Sequence, residues 1–221
     1  MQHNQRRERL FAHAPDGVLV LPAAPAAHRA PDIEYRFRQE SNLYYLTGWA
    51  EPHSVAVIRR VKERAELTLF TQPRDEAAER WTGPRPGPEG AQQDHGADQA
   101  FVMDELAAKL PELLLGASTL YYAFGRDRAL DDQVFAALTQ ARGLARRRRV
   151  PVPDTVTLPD RLLGAQRVVK DDAEQQLLRQ ACDTTVAGHL AALRLARPGL
   201  TERDLEAELD YTFRRHGAEG P

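Results

Sequence analysis

Short apolar runs alternate with helical patterns over the first 157 residues, and this alternation limits the fold more than any other feature of the sequence. Four runs have the length of a strand: residues 18–21, 54–58, 67–70 and 120–124. Helical patterns occupy residues 5–12, 75–81, 103–115 and 130–141, and we expect the last helix to end at Arg142-Gly143. The alternation predicts an α/β domain built around a mixed sheet.

Three proline-rich segments interrupt this pattern, and we expect none of them to form regular structure. Residues 22–31 and 82–90 are predicted to be loops, the second an exposed one, because proline lacks a backbone donor and glycine favours turns. Residues 151–159 are predicted to be a linker. We therefore expect an N-terminal α/β domain at residues 1–157 and a second unit at residues 158–221.

The second unit is predicted to be a helical hairpin. Asp171 and Glu174 have the spacing of a capping box, so we expect a helix to start there. Pro198 with Gly199 ends that helix. Thr201, with Asp204 three residues later, starts another one, which we expect to end at His216-Gly217.

Composition excludes several classes of partner. The chain of 221 residues is 42% hydrophobic and 28% charged with a formal net charge of −2, which is typical of a soluble globular protein. We expect neither a nucleic-acid nor a membrane partner, since no strong net charge and no long apolar run is present. Arginines 146–149 are interpreted as a solvated run that complements a helix dipole. Cys182 is the single cysteine and is expected to be a buried thiol in a cytoplasmic protein.

Residues 34–52 are rich in aromatic side chains, which by themselves are compatible with an aromatic core segment. The order Arg38-Gln39-x-Ser41-Asn42-Leu43-Tyr44-Tyr45-Leu46-Thr47-Gly48 also resembles the signature of the N-terminal domain of Xaa-Pro aminopeptidases and their prolidase and creatinase relatives. Other segments resemble this family in the same order: a loop at 79–87, the entry to the catalytic domain at 162–174, and its first two helices at 197–206 and 213–218. The resemblance implies a creatinase/prolidase-type N-terminal domain followed by a helical hairpin from an incomplete pita-bread domain.

The resemblance also implies a reaction, which is the metal-dependent release of the N-terminal residue from peptides with proline in second position. In the family, two manganese ions are held by two Asp, one His and two Glu, and these ligands lie beyond the second helix. The pairs Asp160/Asp171 and Asp172/Asp183 share the spacing of the first two ligands but lack their strand context, so we interpret them as coincidental. We expect no catalytic residue, no metal ligand and no cofactor in this chain, and no turnover by it alone.

Trp81 is the residue for which the resemblance implies a role. In relatives, the tryptophan of the corresponding loop reaches towards the active site of a neighbouring subunit and lines the pocket for the substrate's proline. An indole on a rigid loop would supply a flat apolar wall for that ring. The alternative is an aromatic staple packed under the proline-rich loop. The seven histidines show no metal-ligand spacing.

Two hypotheses follow for the function. In the first, the chain is a truncated part of an Xaa-Pro aminopeptidase and serves assembly into a homo-oligomer, a dimer or a tetramer, and substrate gating. In the second, it is a stand-alone interaction or regulatory module that pairs with full-length relatives and offers Trp81 to them.

Overall fold

The structure is a computed structural model that describes residues 2–14, 16–61 and 64–219. The chain divides into two compact units, Met1–Gln166 and Arg167–Pro221. The strands are β1 (Gly17–Pro22), β2 (His28–Ala30), β3 (Ile33–Glu34), β4 (Val55–Val61), β5 (Arg64–Thr71), β6 (Gln99–Val102), β7 (Thr119–Tyr121) and β8 (Thr155–Thr157). The helices are α1 (Gln2–His13), α2 (Ser41–Thr47), α3 (Glu76–Thr82), α4 (Gly87–Gln93), α5 (Leu106–Leu113), α6 (Arg128–Arg148), α7 (Asp160–Val168), α8 (Asp172–Leu195) and α9 (Glu202–Arg215).

Within the described residues, the first unit is built on a six-stranded sheet with the strand order β6-β5-β4-β1-β7-β8. β4 runs antiparallel to both of its neighbours, β1 and β5. The other pairs, β1 with β7, β5 with β6 and β7 with β8, are parallel. The predicted α/β fold with a mixed sheet is therefore confirmed. β2 and β3 form a separate small hairpin.

Both faces of the sheet are covered, because successive side chains of a strand point to opposite faces. In β1, Val18 and Val20 pack into a cluster with leucines of α5 and α6, while Leu19 and Leu21 pack on the opposite face with residues of α1 and α2. Trp49, which follows α2, is among the largest fully buried side chains. The result is a helix–sheet–helix sandwich.

The aromatic-rich stretch supplies local anchors as well as core residues. Gly48 ends α2 in the left-handed conformation at φ 69°, as its position in the sequence predicts. The side chain of Glu40 caps the other end by accepting a hydrogen bond from the Leu43 backbone N–H at 2.8 Å. Gln39 connects two loops: its Oε1 accepts from the Ala24 backbone N–H at 2.9 Å and its Nε2 donates to the Glu51 carbonyl at 2.8 Å.

The expectation that the proline-rich segments lack regular structure is wrong. Gly87 begins α4, and Pro88 is tolerated because a first-turn backbone N–H has no acceptor within its helix. Residues 151–159 contain β8, which pairs with β7 as an edge strand of the main sheet. Residues 22–31 contain β2. The prolines near β2 and β8 lie outside these strands, and Pro88 occupies a first-turn position of α4 that needs no backbone donor.

Other boundaries differ from the prediction as well, among them β7, which ends at Tyr121 and not at residue 124. α6 continues through Gly143 to Arg148, so three of the four arginines lie in its last turn. One helical glycine costs only about 1 kcal/mol, less than burial of Ala141 and Ala145 on the same helix contributes. β4 and β5 extend into the predicted connection at 59–66, of which Lys62 and Glu63 lie outside the described residues.

The second unit contains α8 and α9, and its predicted caps are confirmed. Asp171 accepts from the Glu174 backbone N–H at 2.9 Å, and the Glu174 carboxylate accepts from the Asp171 N–H at 2.9 Å. The Asp204 carboxylate accepts from the backbone N–H and from the hydroxyl of Thr201, each at 2.8 Å. Gly188 of α8 lies against Phe213 of α9, where an added Cβ would stand 2.4 Å from Cε1 of the ring.

No helix among the described residues is long and apolar enough to cross a membrane. The boundary predicted at residue 158 remains a prediction. α7 contributes Leu163 to the core of the first unit.

Candidate functional site

Trp81 lies on α3, a short helix on the surface of the first unit. Asp75 caps this helix, accepting from the backbone N–H groups of Ala77 and Ala78 at 2.9 and 3.2 Å. Every residue of α3 is exposed or half-buried. The Trp81 side chain is 91% exposed, so the interpretation of this residue as an aromatic staple is wrong. An indole presented in this way leaves most of its apolar surface available for contact.

A guanidinium–carboxylate pair holds α3 from the side. Arg74 donates from Nε to Glu79 Oε1 and from Nη2 to Glu79 Oε2, each at 3.4 Å. Hydrogen bonding and charge from this partner raise the pKa of Arg74 above its ordinary value. The same bond lowers the pKa of Glu79, so both groups are charged at neutral pH.

The following helix, α4, is close to Arg74 as well. Gly87 has φ 61°, and a Cβ placed on it would stand 2.8 Å from Cγ of Arg74. α4 is in turn anchored in the core, since Ala91 is fully buried and its carbonyl accepts from the Ala97 backbone N–H at 3.0 Å. Sequence reasoning missed this arrangement, although an Arg and a Glu that bracket a helix N-cap are a recognisable local signal.

An open cavity of about 1020 Å³ lies at the edge of the sheet where β1, β5 and β6 end. Arg126 and Glu40 form an ion pair at 3.8 Å on its wall. His53, at the start of β4, lines the cavity with a left-handed backbone at φ 48°. Carboxyl ends of parallel strands are where α/β proteins commonly place ligands. Here the lining offers the paired Arg126 and Glu40, apolar proline and alanine side chains, and further charged residues: Asp104, Asp127 and Arg128.

A second cavity, of about 660 Å³, lies between α1 and α2. His3 Nδ1 donates to the Tyr45 carbonyl at 2.9 Å, and Arg7 Nη1 donates to the Leu46 carbonyl at 2.9 Å. These donors satisfy the last turn of α2, whose carbonyls lack partners within the helix. Burial, with the nearby Arg6 and Arg7, lowers the pKa of His3. His3 and Arg7 of this cavity are therefore occupied in holding two helices together.

Over residues 2–14, 16–61 and 64–219, no three His, Cys, Asp or Glu residues lie close enough to hold a metal ion. Asp160 accepts a hydrogen bond from Asn42 Nδ2 at 3.3 Å, and Asp171 is a helix cap. His216 donates from Nδ1 to the Thr212 carbonyl at 2.8 Å, near the end of α9. Cys182 is exposed, so the expected buried thiol is wrong.

Comparison with known families finds one matching model in each unit. Residues 3–122 match the model of the aminopeptidase P N-terminal domain, and residues 176–221 match the model of metallopeptidase family M24. The chain belongs to the aminopeptidase P family.

Curated relatives of this aminopeptidase P chain align along its whole length. It is 33% identical to the Xaa-Pro aminopeptidase of Escherichia coli K12 over 223 aligned residues, covering 100% of this chain and 50% of the relative. It is 29% identical to the Xaa-Pro aminopeptidase of Haemophilus influenzae, with 100% of this chain and 49% of the relative covered. The chain thus spans about half the length of the curated relatives it matches.

Solved structures give the same result. Aminopeptidase P from Escherichia coli, in a low-pH form, superposes with a TM-score of 0.89 at 32% identity, covering 98% of this chain and 49% of that one. Aminopeptidase PepP from Pseudomonas aeruginosa superposes with a TM-score of 0.89 at 36% identity and the same coverage. A zinc-substituted form of the Escherichia coli protein, in complex with product, is similar to the same extent.

Proposed function

We propose that this chain serves an Xaa-Pro aminopeptidase, a metal-dependent enzyme that releases the N-terminal residue of a peptide whose second residue is proline. The observation that carries this proposal is the joint, ordered match to the aminopeptidase P N-terminal domain and to family M24. The named relatives in Escherichia coli and Haemophilus influenzae are Xaa-Pro aminopeptidases. The substrate class follows from those names.

Within that enzyme, the 221 residues supply assembly and substrate gating rather than catalysis. Two manganese ions are the metals we infer for the complete enzyme, and their ligands belong to M24 sequence outside this chain. The described residues do not fit a metal ion, because no cluster of three suitable side chains is present among them. No chemical step is therefore assigned to a side chain of this chain.

Trp81 is the proposed substrate-contacting residue, acting on the active site of a neighbouring subunit in a homo-oligomer. Its support is its exposure: at 91% it is the most exposed of the large apolar side chains described. A flat indole packs well on a pyrrolidine ring, because both surfaces are apolar and rigid. Such a contact would favour proline over flexible side chains at the second position of the peptide.

The test compares two proteins on a peptide with proline second and on a matched peptide with alanine second. One is the 221-residue chain. The other is an extended polypeptide in which the catalytic half of the Escherichia coli relative follows residue 221. With added manganese, we expect turnover from the extended polypeptide only. Turnover by the 221-residue chain, abolished by chelation, would contradict the proposed division of roles.

The Trp81 contact is tested in the extended polypeptide. Trp81→Ala is expected to raise KM for the proline peptide by about tenfold, since stacking contacts of this kind contribute about 0.5–1.5 kcal/mol beyond buried area. Tyr44→Ala, which removes another exposed aromatic residue on a different helix, is the control and is expected to leave KM unchanged. Equal KM values for Trp81→Ala and the parent would contradict the proposed contact.

The exposed leucines of α8 favour a second candidate, a module that pairs with other chains. Leu177 and Leu193 are 64% and 71% exposed. Exposed apolar surface of this kind marks interaction sites in many proteins. If pairing is the function, the 221-residue chain mixed with the Escherichia coli relative should form a mixed oligomer by light scattering. Two separate species at micromolar concentration would speak against it.

A further inference from the structure

We propose that Arg74 and Glu79 are positioning residues, which hold α3 in the orientation that presents Trp81. The functional part of this inference rests on the proposed contact between Trp81 and substrate. The structural part, that this pair immobilises α3, stands on contacts within the first unit.

Few contacts besides this pair hold the helix that carries Trp81, one of them a hydrogen bond from the Arg85 backbone N–H to the Glu79 carboxylate. α3 has seven residues and none of its side chains is buried, so burial of apolar surface contributes little to its position. An isolated helix of this length is not stable in water. The cap by Asp75 fixes where the helix begins, but it comes from the adjacent residue and cannot fix the direction of the helix.

Arg74 supplies the missing constraint because it contacts two elements. Its guanidinium binds both carboxylate oxygens of Glu79 at 3.4 Å, a fork geometry that restricts rotation more than a single bond would. If Gly87 carried a Cβ, that atom would lie 2.8 Å from Cγ of Arg74. The aliphatic part of the Arg74 side chain therefore contacts the start of α4. α4 is fixed by buried Ala91. Arg74 therefore connects the exposed helix α3 to α4, which packs against the core.

The positions of Glu79 and Trp81 on the helix explain why this matters. Two residues along an α-helix correspond to a rotation of about 200°, so these side chains leave nearly opposite faces. The pair holds one face of α3 and thereby directs the indole away from the molecule. Loss of the pair would leave Trp81 in the chain but would let its direction vary.

The first experiment measures amide hydrogen exchange of residues 76–83 in the 221-residue chain. Arg74→Gln and Glu79→Gln are each expected to speed exchange there by about two- to fivefold, the range that corresponds to an ion pair at the protein surface. Arg74→Lys keeps the charge but loses the fork, and is expected to give a smaller increase. Glu112→Gln removes a comparable pair, in which Arg148 Nη2 binds Glu112 Oε1 at 2.7 Å, and is the matched control that should leave residues 76–83 unchanged.

The second experiment measures KM and kcat of the extended polypeptide for the proline peptide. Glu79→Gln is expected to raise KM by about two- to fivefold while kcat stays within about twofold, because the pair positions a binding surface and touches no reacting atom. Arg74→Lys, which keeps the positive charge, should raise KM less than Glu79→Gln does. If the pair only stabilised the fold, its loss would lower the midpoint of thermal unfolding without this separation of KM from kcat.

The outcomes separate the two proposals. Unchanged exchange in both Arg74→Gln and Glu79→Gln would overturn the positioning role. Faster exchange with unchanged KM, in a protein where Trp81→Ala does raise KM, would also overturn it, since the direction of the indole would then not matter. If Trp81→Ala leaves KM unchanged, the substrate contact is wrong, and the exchange data alone decide whether the pair holds α3.

Discussion

The two units of this chain contrast in what they do with large apolar side chains. In the first unit, Leu46 and Ile58 are completely buried, as are most leucines on both faces of the sheet. In the second, Leu177, Val186 and Leu193 of α8 are 64%, 56% and 71% exposed. Both units nevertheless have well-formed helices with side-chain caps.

The difference shows that a helix can form without a hydrophobic core that covers its apolar face. Caps act within three or four residues and need no tertiary partner, so α8 can form with an uncovered face. A core needs a second apolar layer, which the sheet supplies in the first unit. Burying one leucine contributes about 1.5–3 kcal/mol, so most of the stability of this chain should reside in residues 2–166.

The largest expected effect tests that statement directly. Leu46→Ala, at a fully buried site, should lower the free energy of unfolding by about 2–5 kcal/mol, because it removes apolar contacts and leaves a cavity. Leu190→Ala, at a site that is 44% exposed, should cost less than about 1 kcal/mol. Urea unfolding followed by fluorescence of buried Trp49 measures the first, and circular dichroism measures both. Equal losses would remove the contrast between the units.

An intermediate effect is expected at the close contact between Gly188 of α8 and Phe213 of α9. Gly188→Ala should destabilise the second unit by about 1–3 kcal/mol, since the new Cβ would lie 2.4 Å from the Phe213 ring. Gly143→Ala is the matched control on α6, where a Cβ meets nothing within 4 Å, and it should stabilise by about 0.5–1 kcal/mol. Hydrogen exchange of α8, α9 and α6 reports each change. If Gly188→Ala were as stable as the parent, the Phe213 ring would be able to move aside without cost, and the contact would not be a tight one.

The smallest effects are expected from a change in pH. As the pH falls, the first unit should lose stability before the second. The pKa of His3 is lowered below 6.5 by burial, so its contribution to stability is complete above pH 6.5 and is lost as the pH falls through the folded-state value. The pKa of Asp204 is lowered below 3.8 by the Thr201 backbone N–H, so its contribution persists until the pH falls below about 4. Exchange protection of α2 should therefore weaken at a higher pH than that of α9. His3→Gln and Asp204→Asn should each abolish one of the two transitions, and the reverse order would contradict the assignment.

Sequence reasoning succeeded where the determining interactions are local. Both capping boxes, at Asp171 and Thr201, were predicted from residues three positions apart, and the end of α2 was predicted from Gly48. The core strands were predicted because their apolar runs are continuous. The alternation of these runs with helical patterns predicted the fold class, and the family signature in residues 38–48 added the creatinase/prolidase-type N-terminal domain.

It failed where a segment depends on distant partners. β8 contains exposed Thr155 and Val156, and only its parallel pairing with β7 makes it a strand. A loop was predicted at α4 because proline and glycine are common in loops. A proline in the first turn of a helix is nevertheless tolerated, since the backbone N–H groups there have no acceptor within the helix. For the candidate site, the sequence predicted Trp81 but not its exposure, which depends on what packs around α3, and it missed the local Arg74–Glu79 pair.

The single antiparallel strand in the middle of the sheet has a consequence for synthesis on the ribosome. β1, β4 and β5 are all contained in the first 71 residues, and β4 pairs antiparallel with β5, the next strand along the chain. A nascent chain can therefore assemble half of the sheet before its parallel strands, which need long crossovers, have been translated. Pulse labelling of stalled chains should find Val57 protected in a chain that ends well before β8, and an unprotected Val57 would show that the sheet closes only as a whole.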